Sequence, residues 1–275
     1  MGFGMSEEAE KTSPQGVALV TGAARRIGLA IVERLTHSGY RVALHCSSAS
    51  QDEAEAAAAR LAAQIASANI FVIAADLTDP ETPARVIAES VAAFGPLSLL
   101  VNNASTFADD AAETFELGLW EKHFAVNLRA PVLLAREFAK QVPAGAEASI
   151  VNIIDQRVWR PTPQFFSYTL SKSALWTATR TLAQAFAPRR IRVNAVGPGP
   201  VLPNEEQGME IFAKEVANVP LMQMVDVRDI AEAVLYLAGA RNVTGQMIAV
   251  DAGQHLAWET PDVRAERESR GIAHE

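Results

Sequence analysis

Tyr168 and Lys172, in "YTLSK" (residues 168–172), stand four apart, so a helix would carry both on one face. An ammonium group beside a phenol favours the phenolate and draws a pKa of about 10 towards neutrality. A tyrosine tuned in this way exchanges protons with a carbonyl or an imine near physiological pH. Alone the pattern is weak, because Tyr-x-x-x-Lys also occurs in helices that do no chemistry. A third group sharpens it. The apolar run in "VNIIDQ" (151–156) ends on a carboxylate, Asp155, thirteen residues before Tyr168. Read in isolation, Asp155 is a loop anchor or an acid. In an enclosed cleft, desolvation raises a carboxyl pKa, and such a group delivers a proton to a basic heteroatom.

A second constellation lies near the start of the chain. "TGAARRIGLAIVERL" (21–35) follows an apolar strand, with Gly22 placed for a tight turn and Gly28 for close packing of a new helix on the strand. Backbone N–H groups at that helix's N-terminus would face an anion such as a dinucleotide pyrophosphate. The next strand ends "LHCSSAS", with no acid before Asp52. A carboxylate there would bind a ribose 2′-hydroxyl and repel a 2′-phosphate. Its absence, the donors Ser47 and Ser48, and the charge of Arg25 favour NADPH. The alternative is that Arg25 is a solvated surface residue and the pocket is indifferent.

The elements that must position these groups alternate strand and helix. Candidate strands are 16–20, 41–45, 70–75, 97–102, 149–154, 191–196 and 247–250, most of them near-continuous apolar runs. Such runs suit strands covered on both faces. Helical periodicity marks 82–94, through Val86, Ile87, Val91 and Phe94, and 227–239, with Asp226 as its N-cap. The stretch 116–141 carries Trp120, Phe124, Leu128 and Val132 four apart, and Pro131 bends it. The stretch 166–187 is rich in Ala, Ser and Thr and suits close packing on the sheet or on a second subunit. The expectation is a single-domain α/β protein with a doubly wound parallel sheet of about seven strands.

The boundaries expected are a flexible leader over 1–14, the domain over 15–258 and a polar tail over 259–275. The chain has 275 residues and a net charge of −8, with no basic tract that could track nucleic-acid phosphates. No apolar segment approaches the roughly 18–20 residues of a membrane span. The start lacks the basic-then-apolar order of a signal peptide, and the lone Cys46 cannot form an intrachain disulfide. These features point to a cytoplasmic protein acting on a small molecule. The five His are scattered, so no metal is expected.

"TGAARRIG", "NNAS" (102–105), Asn127 in "FAVNLRAP", "YTLSK", "VGPGP" (196–200) and "TGQMIAVDAG" (244–253) together resemble the short-chain dehydrogenase/reductase family over roughly residues 15–258. The resemblance implies a Rossmann-type reductase with Tyr168 as proton donor and Lys172 on the nicotinamide ribose. It implies that Asn127 holds a water of the proton relay. Asp76 and Leu77 would lie beside the adenine, Asn103, Ala104 and Ser105 along the cofactor, and Pro198 and Gly199 beside the nicotinamide, with Ile27 completing the first turn. It also implies a homotetramer, or a dimer, through 116–141 and 166–187.

Two positions depart from the common family pattern. Arg26 stands where a third glycine is usual, and Asp155 where a serine is usual. Both departures resemble the pteridine reductase and dihydromonapterin (dihydrofolate) reductase branch, as does "NNASTF". In that branch the residue matching Arg26 reaches the cofactor phosphates and the pterin, and the aromatic matching Phe107 stacks the pterin, with Ser105 and Tyr168 beside it. A serine suits a ketone; a carboxyl group suits a nitrogen heterocycle, whose C=N reduction needs a proton on nitrogen. The reading is therefore an NADPH-dependent reductase of a dihydropterin-like C=N bond, with Asp155 and Tyr168 handling the proton. The alternatives are a carbonyl or 3-oxoacyl-type reductase and a non-catalytic NADP(H)-binding protein. Cys46, Ser47 and Ser48 depart from the His or Arg common in that branch. Arg157, Trp159 and Arg160 are expected to shape the substrate mouth, and 200–225 to form a lid whose Met209, Met222 and Met224 fill the core or, as the alternative, line a pocket. Which pterin is reduced stays open.

Overall fold

The computed structural model describes residues 16–201 and 208–257. The apolar runs become β1 (Gly16–Val20), β2 (Tyr40–Cys46), β3 (Ile70–Ala74), β4 (Leu99–Asn102), β5 (Ala148–Ile153), β6 (Ile191–Pro198) and β7 (Met247–Val250). All pair in parallel, in the order β3-β2-β1-β4-β5-β6-β7. The helices are α1 (Arg26–His37), α2 (Gln51–Gln64), α3 (Thr82–Phe94), α4 (Leu117–Phe124), α5 (Ala130–Gln141), α6 (Phe166–Phe186), α7 (Gly208–Ala217) and α8 (Val227–Gly239). This is the expected doubly wound sheet, with its topological switch between β1 and β4.

Neighbouring strand residues serve opposite cores. Val20, Val101 and Val151 join Ile31 of α1 and Val234 of α8 on one face. Leu19, Leu100 and Ile150 join Val86 of α3 and Leu134 and Phe138 of α5 on the other. Side chains alternate across a strand, so a sheet covered on both faces needs apolar residues at every position.

The stretch 116–141 is helical without a gap over 117–141, with an interruption just before Pro131. It divides into α4, a π turn over Ala125–Arg129, and α5, with Pro131 in the first turn of α5. A proline costs little there, because its missing N–H is one the first turn leaves unpaired. The disruption falls just upstream, where Pro131 has no N–H to return to the carbonyl of Asn127. Asp226 caps α8 as expected, its Oδ1 accepting from Arg228 N at 2.8 Å.

The methionine expectation fails. Met209, Met222 and Met224 are 70 %, 60 % and 49 % exposed, and the buried positions among the described residues of 200–225 are Pro200, Val201, Phe212, Val219 and Val225. Of the expected lid, α7 is described, and Phe212 and Glu215 line the cavity treated below; residues 202–207 lie outside the described residues, as do the expected leader 1–14 and tail 259–275. Among the described residues, no helix is long and apolar enough to cross a membrane.

Candidate active site

The carboxyl ends of the strands meet in a cavity of 790 Å³. Its floor is tied together by short polar side chains. Thr21 Oγ1, just after β1, accepts from the N–H groups of Asn103 (3.0 Å) and Ala104 (3.1 Å). Asn103 Nδ2 returns hydrogen bonds to the carbonyls of Thr21 and Gly22, both at 2.9 Å. Gly22 has φ +62°, and a Cβ there would lie 2.7 Å from Ala104 Cα. Gly28 is equally constrained, since its Cβ would lie 2.4 Å from the Gly22 carbonyl oxygen.

His45 is a member of this floor that the sequence reading passed over. Burial holds its pKa down at about 4, so the ring is neutral. Gly22 N donates to its Nδ1 at 3.3 Å, which leaves the proton on Nε2 for the Ala75 carbonyl at 3.2 Å. One buried imidazole thus fixes the glycine turn to the end of β3.

Arg25, Arg26, Ile27, Ser47, Ser48, Asp76 and Leu77 all line this end of the cavity, as do Pro198 and Gly199 across from them. Arg25 N-caps α1 without a side-chain cap bond, and both arginines are exposed. Arg26 adopts φ +52°, the left-handed conformation that favours glycine. That explains why a glycine would suit this position and what the arginine costs, about 1 kcal/mol of backbone strain. Ser47 and Ser48 are the polar residues at the end of β2, and no carboxylate accompanies them there. Asp76 Oδ1 accepts from Thr78 N at 2.9 Å, which holds its pKa down. The donor set, with cations at the glycine turn and hydroxyls at β2, fits a dinucleotide bearing a 2′-phosphate.

The catalytic candidates meet at the end of β5. Asp155 caps a single 3₁₀ turn over Gln156–Val158, its Oδ1 accepting from Arg157 N at 2.8 Å. Its Oδ2 accepts from the Tyr168 hydroxyl at 2.9 Å. Tyr168 is 5 % exposed. Lys172, one turn further along α6, is buried and donates from Nζ to the Ile153 carbonyl at 2.9 Å.

Here the expectation about Tyr168 is corrected. Its pKa is raised well above 10, by burial and by the charge and hydrogen bond of Asp155. The opposing charge is that of Arg157 and not of the lysine, whose Nζ lies 5.8 Å from the ring centroid and whose own pKa burial lowers to about 8. Burial likewise raises Asp155, against the opposing influence of Arg157 N–H, the Arg157 charge, Tyr168 and Lys172. Burial thus opposes ionisation in both adjacent acids, and the hydroxyl keeps its proton on the side facing Asp155.

Asn127, in the π turn, is fully buried but does not line the cavity. Its Oδ1 accepts from Ser105 Oγ (3.1 Å) and Thr106 N (2.9 Å), and its Nδ2 donates to the Thr106 carbonyl (3.0 Å) and Ser171 Oγ (3.1 Å). The side chain is therefore a clamp between the loop after β4 and α6, with no polar site left over for a relay water.

The far wall is aromatic. Phe107 is 40 % exposed and lines the cavity beside Ser105. Its ring stacks on Phe165 (4.3 Å, 15°) and meets Tyr168 edge-on (4.7 Å, 82°). Phe165 has φ +55° and sits at the N-cap of α6. That helix start is capped from a distance. Phe165 N donates to Asp109 Oδ1 (3.1 Å), Phe166 N to the Asp110 carbonyl (3.1 Å) and Ser167 N to Asp110 Oδ1 (3.0 Å). Ser167 Oγ adds a bond to Asp110 Oδ2 and lies 2.6 Å from Nδ1 of the buried His123. Arg157 also lines the cavity, whereas Trp159 and Arg160 do not; Trp159 packs edge-on against His255 at 5.1 Å.

Comparison with known proteins agrees with this architecture. The family model described as Enoyl-(Acyl carrier protein) reductase matches residues 22–255. A "Short-chain type dehydrogenase/reductase" of Picea abies is 34% identical over 86% of this chain and 92% of its own length. The 3-oxoacyl-[acyl-carrier-protein] reductase FabG of Staphylococcus aureus is 30% identical over 87% of this chain and 98% of its own. The crystal structure of FolM Alternative dihydrofolate reductase 1 from Brucella canis, complexed with NADP, superposes with a TM-score of 0.85 at 50% identity, covering 91% of this chain and 98% of that one. With the sheet order, the glycine turn and the Tyr168–Lys172 pair all in place, the chain belongs to the short-chain dehydrogenase/reductase family of oxidoreductases.

Proposed function

We propose that the protein is an NADPH-dependent reductase that delivers hydride to a C=N bond of a pterin-like ring, a dihydropterin or dihydrofolate. The observation that carries this reading is the Asp155–Tyr168 pair, 2.9 Å apart in a cavity whose wall is Phe107. The carboxyl stands where the family pattern has a serine, and burial favours its protonated form. NADPH bound in the cavity supplies the hydride. The glycine turn with Arg25 and Arg26 holds the cofactor phosphates, Ser47 and Ser48 take the 2′-phosphate, and Lys172 takes the ribose. Asn103, Ala104, Pro198 and Gly199 line its path. Asp155 holds a proton for the ring nitrogen, and Tyr168, hydrogen-bonded to it, resupplies that proton. Phe107 offers a flat apolar surface to a flat ring, and Arg26 and Ser105 offer donors to its polar edge. A relay water, if Asn127 holds one, belongs to its main chain in the π turn. The balance is one C=N bond reduced to CH–NH as NADPH becomes NADP⁺, with one proton taken from solvent through the pair.

The test is Asp155→Ala. Loss of a positioned acid costs about a hundredfold or more in kcat for dihydropterin reduction, while NADPH affinity stays within about threefold. Unchanged turnover removes the proton role. The identity to FabG favours a second reading, a 3-oxoacyl or other carbonyl reductase. Faster turnover of simple ketones than of pterins would establish it, and NADPH binding without turnover on either panel would leave a binding protein. The proposal includes a cytoplasmic homotetramer, or dimer, through 116–141 and 166–187, where Leu117 and Leu170 are exposed; light scattering measures it.

A further inference from the structure

Five cationic side chains line the cavity: Arg25, Arg26, Lys122, Arg157 and Lys172. Arg25 and Arg26 belong to the glycine turn after β1, and Lys172 donates to the Ile153 carbonyl. Arg157 stands elsewhere. It follows Asp155 by two residues at the end of β5, and β4 separates β5 from β1 in the sheet. Two strand positions put it about 10 Å across the sheet from the phosphate turn.

Its surroundings differ from those of the five arginines that form salt bridges. Arg34, Arg85, Arg136, Arg228 and Arg241 each pair with a carboxylate. Arg157 makes no such pair among the described residues; its side chain donates one hydrogen bond, from Nη1 to Thr162 Oγ1 at 2.7 Å. A guanidinium has five N–H donors, so donors remain for a ligand. The group is also held ready. Its Cζ lies 4.9 Å from the centroid of Phe165, the ring on which Phe107 stacks. Stacking on an aromatic face fixes the plane of the fork, so less freedom is lost when it grips an anion. Glu215, the acid on the α7 side of the cavity, already accepts from Gln254 Nε2 at 3.0 Å.

We propose that Arg157 is a specificity-determining residue that selects substrates carrying an anionic arm, a carboxylate or a phosphate, on the flat ring. The inference rests on the pterin reading above and adds to it the chemistry of the substituent. A ring lying against Phe107 and within reach of Asp155 extends its arm past the turn that follows, where Gln156 and Arg157 both line the cavity and Arg157 alone carries charge. A guanidinium fork takes carboxylate and phosphate oxygens with the same paired geometry.

The experiment compares discrimination ratios in the wild type, Arg157→Gln and Arg157→Lys. The first ratio is kcat/KM for dihydrofolate over kcat/KM for dihydrobiopterin, whose arm is neutral. The second is dihydroneopterin monophosphate over dihydroneopterin. At least one ratio falls about tenfold in Arg157→Gln, the scale of one charge-assisted hydrogen bond, and recovers in part in Arg157→Lys. The ratio that falls identifies the anion. Both ratios unchanged overturns the proposal, as does an equal loss on charged and neutral substrates. A second readout needs no turnover: calorimetric titration of the NADPH-loaded protein with p-aminobenzoylglutamate, the arm without its ring, and with inorganic phosphate. Weakening of either by about tenfold or more in Arg157→Gln supports the site, and equal affinities for both refute it. Arg157-dependent anion binding in a protein that reduces no pterin would retire the pterin reading and leave the anion site standing.

Discussion

At the β1 end of the cavity the backbone sets the shape, and at the β5 end side chains set it. Added carbons at Gly22 and Gly28 would lie 2.7 and 2.4 Å from Ala104 Cα and the Gly22 oxygen. Thr21, Asn103 and His45 then tie those backbones together. At the other end, Phe107 is 40 % exposed and leans on Phe165, while Asp155 is shaped by the partners around its two oxygens. A cofactor shared by many reductases can be met by a surface with almost no freedom. A substrate particular to one branch is met by replaceable side chains on loops, which is where binding residues concentrate on rigid scaffolds.

The sharpest way to break this comparison is Gly22→Ala. The left-handed backbone and the contact with Ala104 together cost about 2–4 kcal/mol of stability, measured by urea unfolding, and NADPH affinity collapses with them. A variant of wild-type stability would mean that the turn is pliable. Phe107→Ala should behave in the opposite manner. The dihydropterin KM rises about tenfold, the worth of one stacked ring, and the unfolding midpoint barely moves. A large drop in stability would recast the ring as core. Arg25→Ala, at the cofactor end, weakens NADPH about fivefold to tenfold and NADH hardly at all, as expected for the loss of one phosphate contact; equal losses would contradict the 2′-phosphate assignment.

The smallest effect is one of pH. Burial raises the Asp155 pKa above its ordinary 3.8. The ionised carboxyl is therefore a cost to the folded state at pH values above its raised pKa. That cost shrinks as the pH falls and is absent below the ordinary value. Asp155→Asn should melt at a higher temperature than the wild type at pH 7, and the advantage should vanish near pH 3.8. An advantage independent of pH would have another origin.

The sheet was legible because its signals are local. Val20, Val101 and Ile150 announce two-sided burial by lying in unbroken apolar runs. Of the residues expected at the cavity, Trp159 and Arg160 do not line it, and neither does Asn127, which instead clamps the neighbouring loop. What escaped notice depends on distant partners. Phe165 carries no signal at its own position, because its N–H is satisfied by Asp109, fifty-six residues earlier. His45 looked like one more strand residue until its two nitrogens were seen bridging Gly22 and Ala75. The direction of the Tyr168 shift was misread for the same reason: sequence displays a lysine four residues on, and hides the carboxylate that folding brings against the hydroxyl. Methionines 209, 222 and 224 were misjudged because apolar character says nothing about facing direction in an irregular segment.

The capping of α6 by Asp109 and Asp110 has a mechanical corollary. The strip of chain bearing Phe107 and the helix bearing Tyr168 are bolted at one hinge-free joint, so they travel as one piece. A bulkier ring cannot prise the aromatic wall outward without dragging the hydroxyl out of register with Asp155. Oversized compounds should therefore lodge there and idle, making this joint a filter on turnover more than on occupancy.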